Sequence, residues 1–100
     1  MRQIFAGQDP DNYSYVSRSI RLDGQVTSIR LEGIYWSILD EVAESQGFTT
    51  PGFISKLHRE VMELQGAPQN FTSLLRSACL IYMDNRLATR MEDQRQRQAS

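Results

Sequence analysis

The chain reads as an α+β domain, mostly α, with an N-terminal β-hairpin followed by three helices. Three observations predict this. Alternating apolar residues flank Asp23-Gly24, an apolar period near 3.6 takes over after Glu32-Gly33, and Gly- and Pro-containing breaks divide the helical remainder into three. One hundred residues with 40% hydrophobic and 23% charged side chains is ordinary composition for about one globular domain. A chain of this size buries only about two thirds of its unfolded surface, so association adds useful stability.

Residues 1–16 are polar, with Asp9-Pro10-Asp11-Asn12 as a turn signal and Tyr13, Tyr15 and Val16 as anchors; they read as an N-terminal arm, mobile unless it docks. Residues 17–91 form the folded domain. Asp-Gly between alternating runs is the strongest short-range hairpin signal. A two-residue loop sets Leu22 opposite Gln25, Ile20 opposite Thr27 and Arg18 opposite Ile29, with Arg21–Val26 and Ser19–Ser28 on the other face. One face is oily and the other carries hydroxyls and guanidinium groups, as in a sheet packed on one side.

In the first helix Tyr35, Trp36, Leu39, Val42 and Ala43 make a broad apolar stripe opposite Asp40, Glu41 and Glu44, and Gly47 is the expected C′ residue. Thr50 is the expected cap of the second helix, with Pro51 at its first position. Phe53, Leu57, Val61 and Leu64 form that helix's predicted buried stripe, with Ile54 and Met62 beside it, and it ends near Gln65-Gly66. The third helix is predicted from about Asn70 to Met91; the unbroken apolar run Ala78–Met83 predicts burial nearly all round. Residues 92–100 form a polar C-terminal tail with no apolar period, expected to fray.

Several functions are disfavoured by composition. One cysteine and one histidine leave no disulfide framework, Cys-rich zinc site or His-based metal cluster, so no metal and no cofactor is expected. His58 reads as a surface or core residue, Cys79 as a small buried hydrophobe with an inert thiol, and Glu60 and Glu63 as a solvated helix face. No nucleophile–base pair is present, so catalysis is not expected. No run approaches the ~18 apolar residues of a membrane span. Met1–Asp9 holds no apolar stretch suited to a secretion signal, so a cytoplasmic location without membrane contact is expected.

The net charge of −1 and pI near 5.7 argue at face value against nucleic acid. The acidity is local, however. Residues 32–48 hold Glu32, Asp40, Glu41 and Glu44 with no base, whereas residues 17–31 carry Arg18, Arg21 and Arg30 against Asp23 alone.

The order of elements is carried by Val26-Thr27-Ser28-Ile29-Arg30-Leu31-Glu32, then Tyr35-Trp36-Ser37-Ile38-Leu39-Asp40-Glu41-Val42-Ala43, then Gly47-Phe48-Thr49-Thr50. This resembles the ribbon-helix-helix family, and more narrowly a bacterial subgroup of small ribbon-helix-helix domain proteins. That subgroup also has a later segment like Asn70-Phe71-Thr72-Ser73-Leu74-Leu75-Arg76; the resemblance spans roughly Ser17 to Met83. It implies an intertwined homodimer whose strands pair into a ribbon, and double-stranded DNA as a partner, with the ribbon in the major groove. The implied base contacts are Val26, Ser28 and Arg30. The implied phosphate contacts are Thr49 and Thr50 at the second helix's start, and Arg18 and Arg21 are further candidates. Candidate dimer-core residues are Ile29, Leu31, Trp36, Leu39, Leu57, Leu74, Ala78 and Ile81. A transcriptional regulator is the first implied function. The alternative is an interaction or antitoxin-type module of the same fold that binds a protein partner, because the Asp23-Gly24 hairpin adds a strand beside the ribbon.

Overall fold

A computed structural model describes residues 3–99. Met1, Arg2 and Ser100, at the ends of the predicted arm and tail, lie outside the described residues. The order is a single 3-10 turn (Pro10–Asn12), β1 (Tyr15–Leu22), β2 (Gln25–Glu32), α1 (Gly33–Ser45), α2 (Thr50–Gln65) and α3 (Phe71–Ala99). The α+β class, hairpin first and three helices after, is as the sequence predicts.

β1 and β2 form an antiparallel hairpin in the predicted register, Leu22 facing Gln25 and Arg18 facing Ile29. Asp23 and Gly24 have φ of 50° and 80°. Two successive left-handed residues define a type I′ turn, whose twist matches that of the strands. Both strands run further than the alternation alone marked, because Tyr15 and Val16 join β1. The Gly33 N–H donates to the Ser14 carbonyl at 2.9 Å, and the Trp36 indole N–H donates to the Val16 carbonyl at 2.8 Å. The start of β1 is thereby tied to the start of α1. A Cβ on Gly33 would lie 2.1 Å from the Asp11 carbonyl oxygen, so only glycine admits the 3-10 turn there.

The core lies between the inner sheet face and the helices. Ile20, Ile29 and Leu31 from the sheet meet Trp36 and Leu39 of α1, Ile54 of α2, and Leu75 and Cys79 of α3. Burial pushes the Cys79 thiol up to about 11, so it is protonated and unreactive in the folded chain. Gly47, at φ 77°, closes α1: its N–H reaches the Glu44 carbonyl and the Phe48 N–H the Ala43 carbonyl, the two bonds of a Schellman cap.

Four sequence expectations change. The cap of α2 is Thr49, whose hydroxyl accepts from the Gly52 N–H at 3.2 Å; Pro51 is therefore one position further in, and Thr50 is helical. On α2 the fully buried residue is Ile54, while Leu64 is 81% exposed. On α3 only Cys79 of the Ala78–Met83 run is buried, with Leu80 and Ile81 62% and 60% exposed. One chain covers only one side of these helices. Beyond Met91 the expected fraying gives way to continuous helix through Ala99, because the Glu, Gln and Arg residues there are strong helix formers.

α3 runs alongside α1 in the same direction: Arg76 pairs with Glu32, the Cys79 thiol meets the Tyr35 carbonyl, and Arg86 pairs with Glu41. α1 stops at Ser45, so the last turns of α3 overhang the body by about 15 Å at 1.5 Å per residue. The extents of 51 × 34 × 23 Å reflect that overhang.

Candidate nucleic-acid interface

The two-residue turn makes Leu22–Gln25 a hydrogen-bonded pair, and bonded and non-bonded pairs alternate from there. The Gly33–Ser14 bond falls in the same phase at the far end. The backbone N–H and C=O groups of Val26, Ser28 and Arg30 accordingly point away from β1, onto the open edge of β2. Their side chains lie on the outer face, opposite Arg21, Ser19 and Ser17, and all are exposed. The three candidate base readers thus share one exposed face and one unpaired edge.

The Arg30 guanidinium lies 4.4 Å from the centre of the Tyr15 ring, a cation–π contact that holds the side chain over the sheet. Arg21 Nη1 donates to the Gly24 carbonyl at 3.3 Å, which keeps this guanidinium at the hairpin tip. Val26 is 65% exposed and presents only methyl groups, fitted to a thymine methyl and to no hydrogen bond.

Arg18 lies on the opposite parity. Its guanidinium forms a two-pronged pair with Asp40 at 2.8 and 3.2 Å and sits 4.5 Å over the Trp36 ring. The Thr50 hydroxyl donates to the same Asp40 carboxylate at 2.6 Å. The Thr49 hydroxyl holds the Gly52 N–H and the Thr49 carbonyl accepts from the Phe53 N–H. Since Pro51 has no N–H, the start of α2 keeps little donor capacity for a phosphate, and Asp40 places a negative charge beside it.

A second basic site stands on the other flank. Arg21 and Gly24 of the hairpin tip and Gly52, Ser55 and Arg59 of α2 line a cleft of about 370 Å³, which Asp23 also borders. Asp23 Oδ2 is 3.8 Å from His58 Nδ1. Ser55 and Arg59 were absent from the sequence-predicted site. Their i, i+4 spacing puts them on one face of α2, but only the fold brings that face to the hairpin tip.

Two carboxylates brace the interface from behind. Arg76 hydrogen-bonds Glu32 at 2.7 Å and holds its carboxyl below the ordinary value of 4.5. Arg18, helped by the Thr50 hydroxyl, holds Asp40 below 3.8. A carboxyl whose pKa is lower folded than unfolded stabilises the fold above the unfolded value, and that contribution is lost as pH falls through the folded value. Thermal midpoints are expected to hold from neutral pH to about 5 and to fall below about 4.5. Glu32→Gln combined with Asp40→Asn should flatten that fall; an equally steep fall in the double variant would contradict the assignment.

Among the described residues there is no cluster of three metal-ligating side chains and no helix long and apolar enough to cross a membrane.

A family model described as a ribbon-helix-helix domain matches residues 15–83. The chain is similar to a solved structure, that of an uncharacterized protein from Bordetella pertussis Tohama I, at 38% identity and a TM-score of 0.83; the match covers 87% of this chain and 70% of that one. The search of curated proteins finds no match.

Proposed function

The chain belongs to the ribbon-helix-helix domain family, and on that premise we propose that it is a homodimeric DNA-binding protein, a transcriptional regulator acting in the cytoplasm without cofactor or catalysis. Domains of the family commonly dimerise and bind DNA. The observation that carries the proposal is the coincidence at Val26, Ser28 and Arg30 of an open backbone edge with an exposed polar face. Two β2 edges pairing antiparallel about a two-fold axis place both copies of these side chains on one surface. Arg30 is the residue suited to guanine, through a bidentate contact worth roughly 1–3 kcal/mol of discrimination.

Each ribbon strand here brings β1 with it. Four strands at about 4.8 Å spacing put the outer strands about 14 Å apart, against a major groove of about 12 Å. Opposite Arg30 and Ser28, β1 carries Ser17 and Ser19, the smallest hydroxyl side chains, so the sheet margins are thin where they meet the groove walls. Hydroxyls at the margins, with Arg21 and Arg59 at the tip cleft, supply phosphate contacts that position the sheet. In this proposal the tip cleft takes over from Thr49, Thr50 and Arg18, which are engaged within the chain.

The experiment is selection of bound fragments from a genomic library, followed by titration against salt. Arg30→Ala is expected to weaken binding to the selected site roughly tenfold or more and to relax preference at one base pair. Arg59→Ala is expected to weaken all fragments alike and lower the salt slope by about one. The width of the sheet favours one second reading, the same dimer docking a protein partner, as antitoxin-type modules do. Absent or salt-insensitive binding to every fragment, with the dimer intact, would select that reading and end the first.

A further inference from the structure

The arginines of this chain use their N–H donors differently. Arg18, Arg76 and Arg86 give theirs to carboxylates, and Arg21 gives one to the Gly24 carbonyl. Arg30 has no side-chain hydrogen bond or ion pair among the described residues. Its guanidinium is held instead by the face of the Tyr15 ring, 4.4 Å from the ring centre. An aromatic face attracts the charge and leaves the planar fork of N–H donors unspent.

The strand register creates this contact. Tyr15 opposes Glu32 and Ser17 opposes Arg30, so Tyr15 and Arg30 are diagonal neighbours on the outer face. A ring and a long side chain span that diagonal, and the short Ser17 does not intervene. Glu32, two residues on and on the same side of β2, is the carboxylate placed to compete for Arg30. Arg76 of α3 takes that carboxylate through contacts of 2.7, 3.2 and 3.3 Å, which leaves Arg30 to the ring. Tyr15 is 55% exposed and lies outside the core, so packing does not account for its ring.

We infer that Tyr15 is the positioning residue for base reading by Arg30: its ring holds the guanidinium over the outer face with the N–H fork free for guanine. The inference rests on the DNA-binding reading proposed above. An unheld arginine must give up its rotamer freedom on binding; one already seated on a ring has less to lose. Tyr15 is on β1, so the ring draws the guanidinium away from the open edge of β2. In the dimer the two Arg30 side chains therefore reach outward from the ribbon axis, one toward each half of the site.

The test uses the DNA site selected by the wild-type chain, with each base pair exchanged in turn. At the base pair where Arg30→Ala relaxes the preference, Tyr15→Leu and Tyr15→Thr are each expected to lower that preference roughly two- to fivefold. Preferences at the other positions, the salt slope and the thermal midpoint should stay as in the wild type. Tyr15→Phe keeps the ring and should keep the full preference. In an Arg30→Ala background, Tyr15→Leu should change nothing further. Undiminished preference in both ringless variants would overturn the inference. A Tyr15→Phe loss equal to that of Tyr15→Leu would overturn it too, by assigning the effect to the hydroxyl. So would a further loss in the Arg30→Ala background, which would give Tyr15 a DNA contact of its own. A wild type that binds no fragment, or an Arg30→Ala variant with unchanged preference, would instead remove the reading beneath it.

Discussion

Ser28→Pro is expected to convert the two-chain assembly to single chains while leaving each hairpin formed. Proline removes the backbone N–H and is otherwise tolerated at strand edges where that N–H faces solvent. In β2 the ladder to β1 uses the N–H groups of Gln25, Thr27, Ile29 and Leu31, as the register and the type I′ turn require. The Ser28 N–H belongs to the open edge. Its loss spares the hairpin but removes one ribbon bond per copy near the middle of the strand, and the ring obstructs the approach of the second strand. Thr27→Pro is the contrast: it breaks the intrachain ladder and should lower stability even where no dimer forms. Size-exclusion mass and thermal midpoint measured on both variants separate the two effects. A Ser28→Pro protein that remains a dimer would show that the β2 edge is not the interface, and with it would go the surface on which Arg30 is proposed to act.

Leu39→Ala is expected to cost about 2–5 kcal/mol, the range for deleting a fully buried leucine and leaving part of the cavity behind. Leu39 is 0% exposed, and packs in the cluster that joins the sheet, α1, α2 and α3. A domain of this size typically has about 5–15 kcal/mol of total stability, so the loss is a large share. Leu39 also borders the cleft lined by Phe53, Ala78 and Ile81. The damage should therefore reach dimerisation as well as the single-chain core, and denaturant midpoints should fall at every protein concentration. Ile81→Ala makes the informative comparison. At 60% exposure in one chain it should cost little if the chain works alone, and a substantial fraction of the Leu39 effect if a partner covers it. A Leu39→Ala midpoint indistinguishable from the wild type would contradict the core assignment.

Local signals made the turn and the register of the hairpin legible, though not the start of β1, where Tyr15 and Val16 read as part of the arm. Asp23-Gly24 can adopt two left-handed conformations in succession, and the alternation around it admits one register, because a slip of one residue would turn Ile20, Ile29 and Leu31 to solvent. Gly47 marked the end of α1 for a similarly local reason. The boundaries that shifted depended on competition between neighbours. Thr49 and Thr50 are equally good caps in sequence, and the Asp40 carboxylate decides between them by taking the Thr50 hydroxyl. Burial on α2 and α3 was less legible because an apolar stripe does not say which chain covers it.

The candidate interface divides the same way. That Val26, Ser28 and Arg30 share a face follows from strand periodicity alone. The position of Arg18 does not, since its guanidinium crosses 22 residues of sequence to Asp40. Nor does the cleft at the hairpin tip, where Arg21 meets Ser55 and Arg59.

The order of elements, the hairpin register, the closing of α1 and the parity of the outer face are local properties of the chain, each set by contacts within a few residues or by a repeat along one element. Which arginines are engaged within the chain, which basic side chains meet at the hairpin tip and which apolar stripes one chain leaves uncovered are set by the packing of the elements. Those outcomes depend on distances between elements far apart in the chain, which periodicity does not encode.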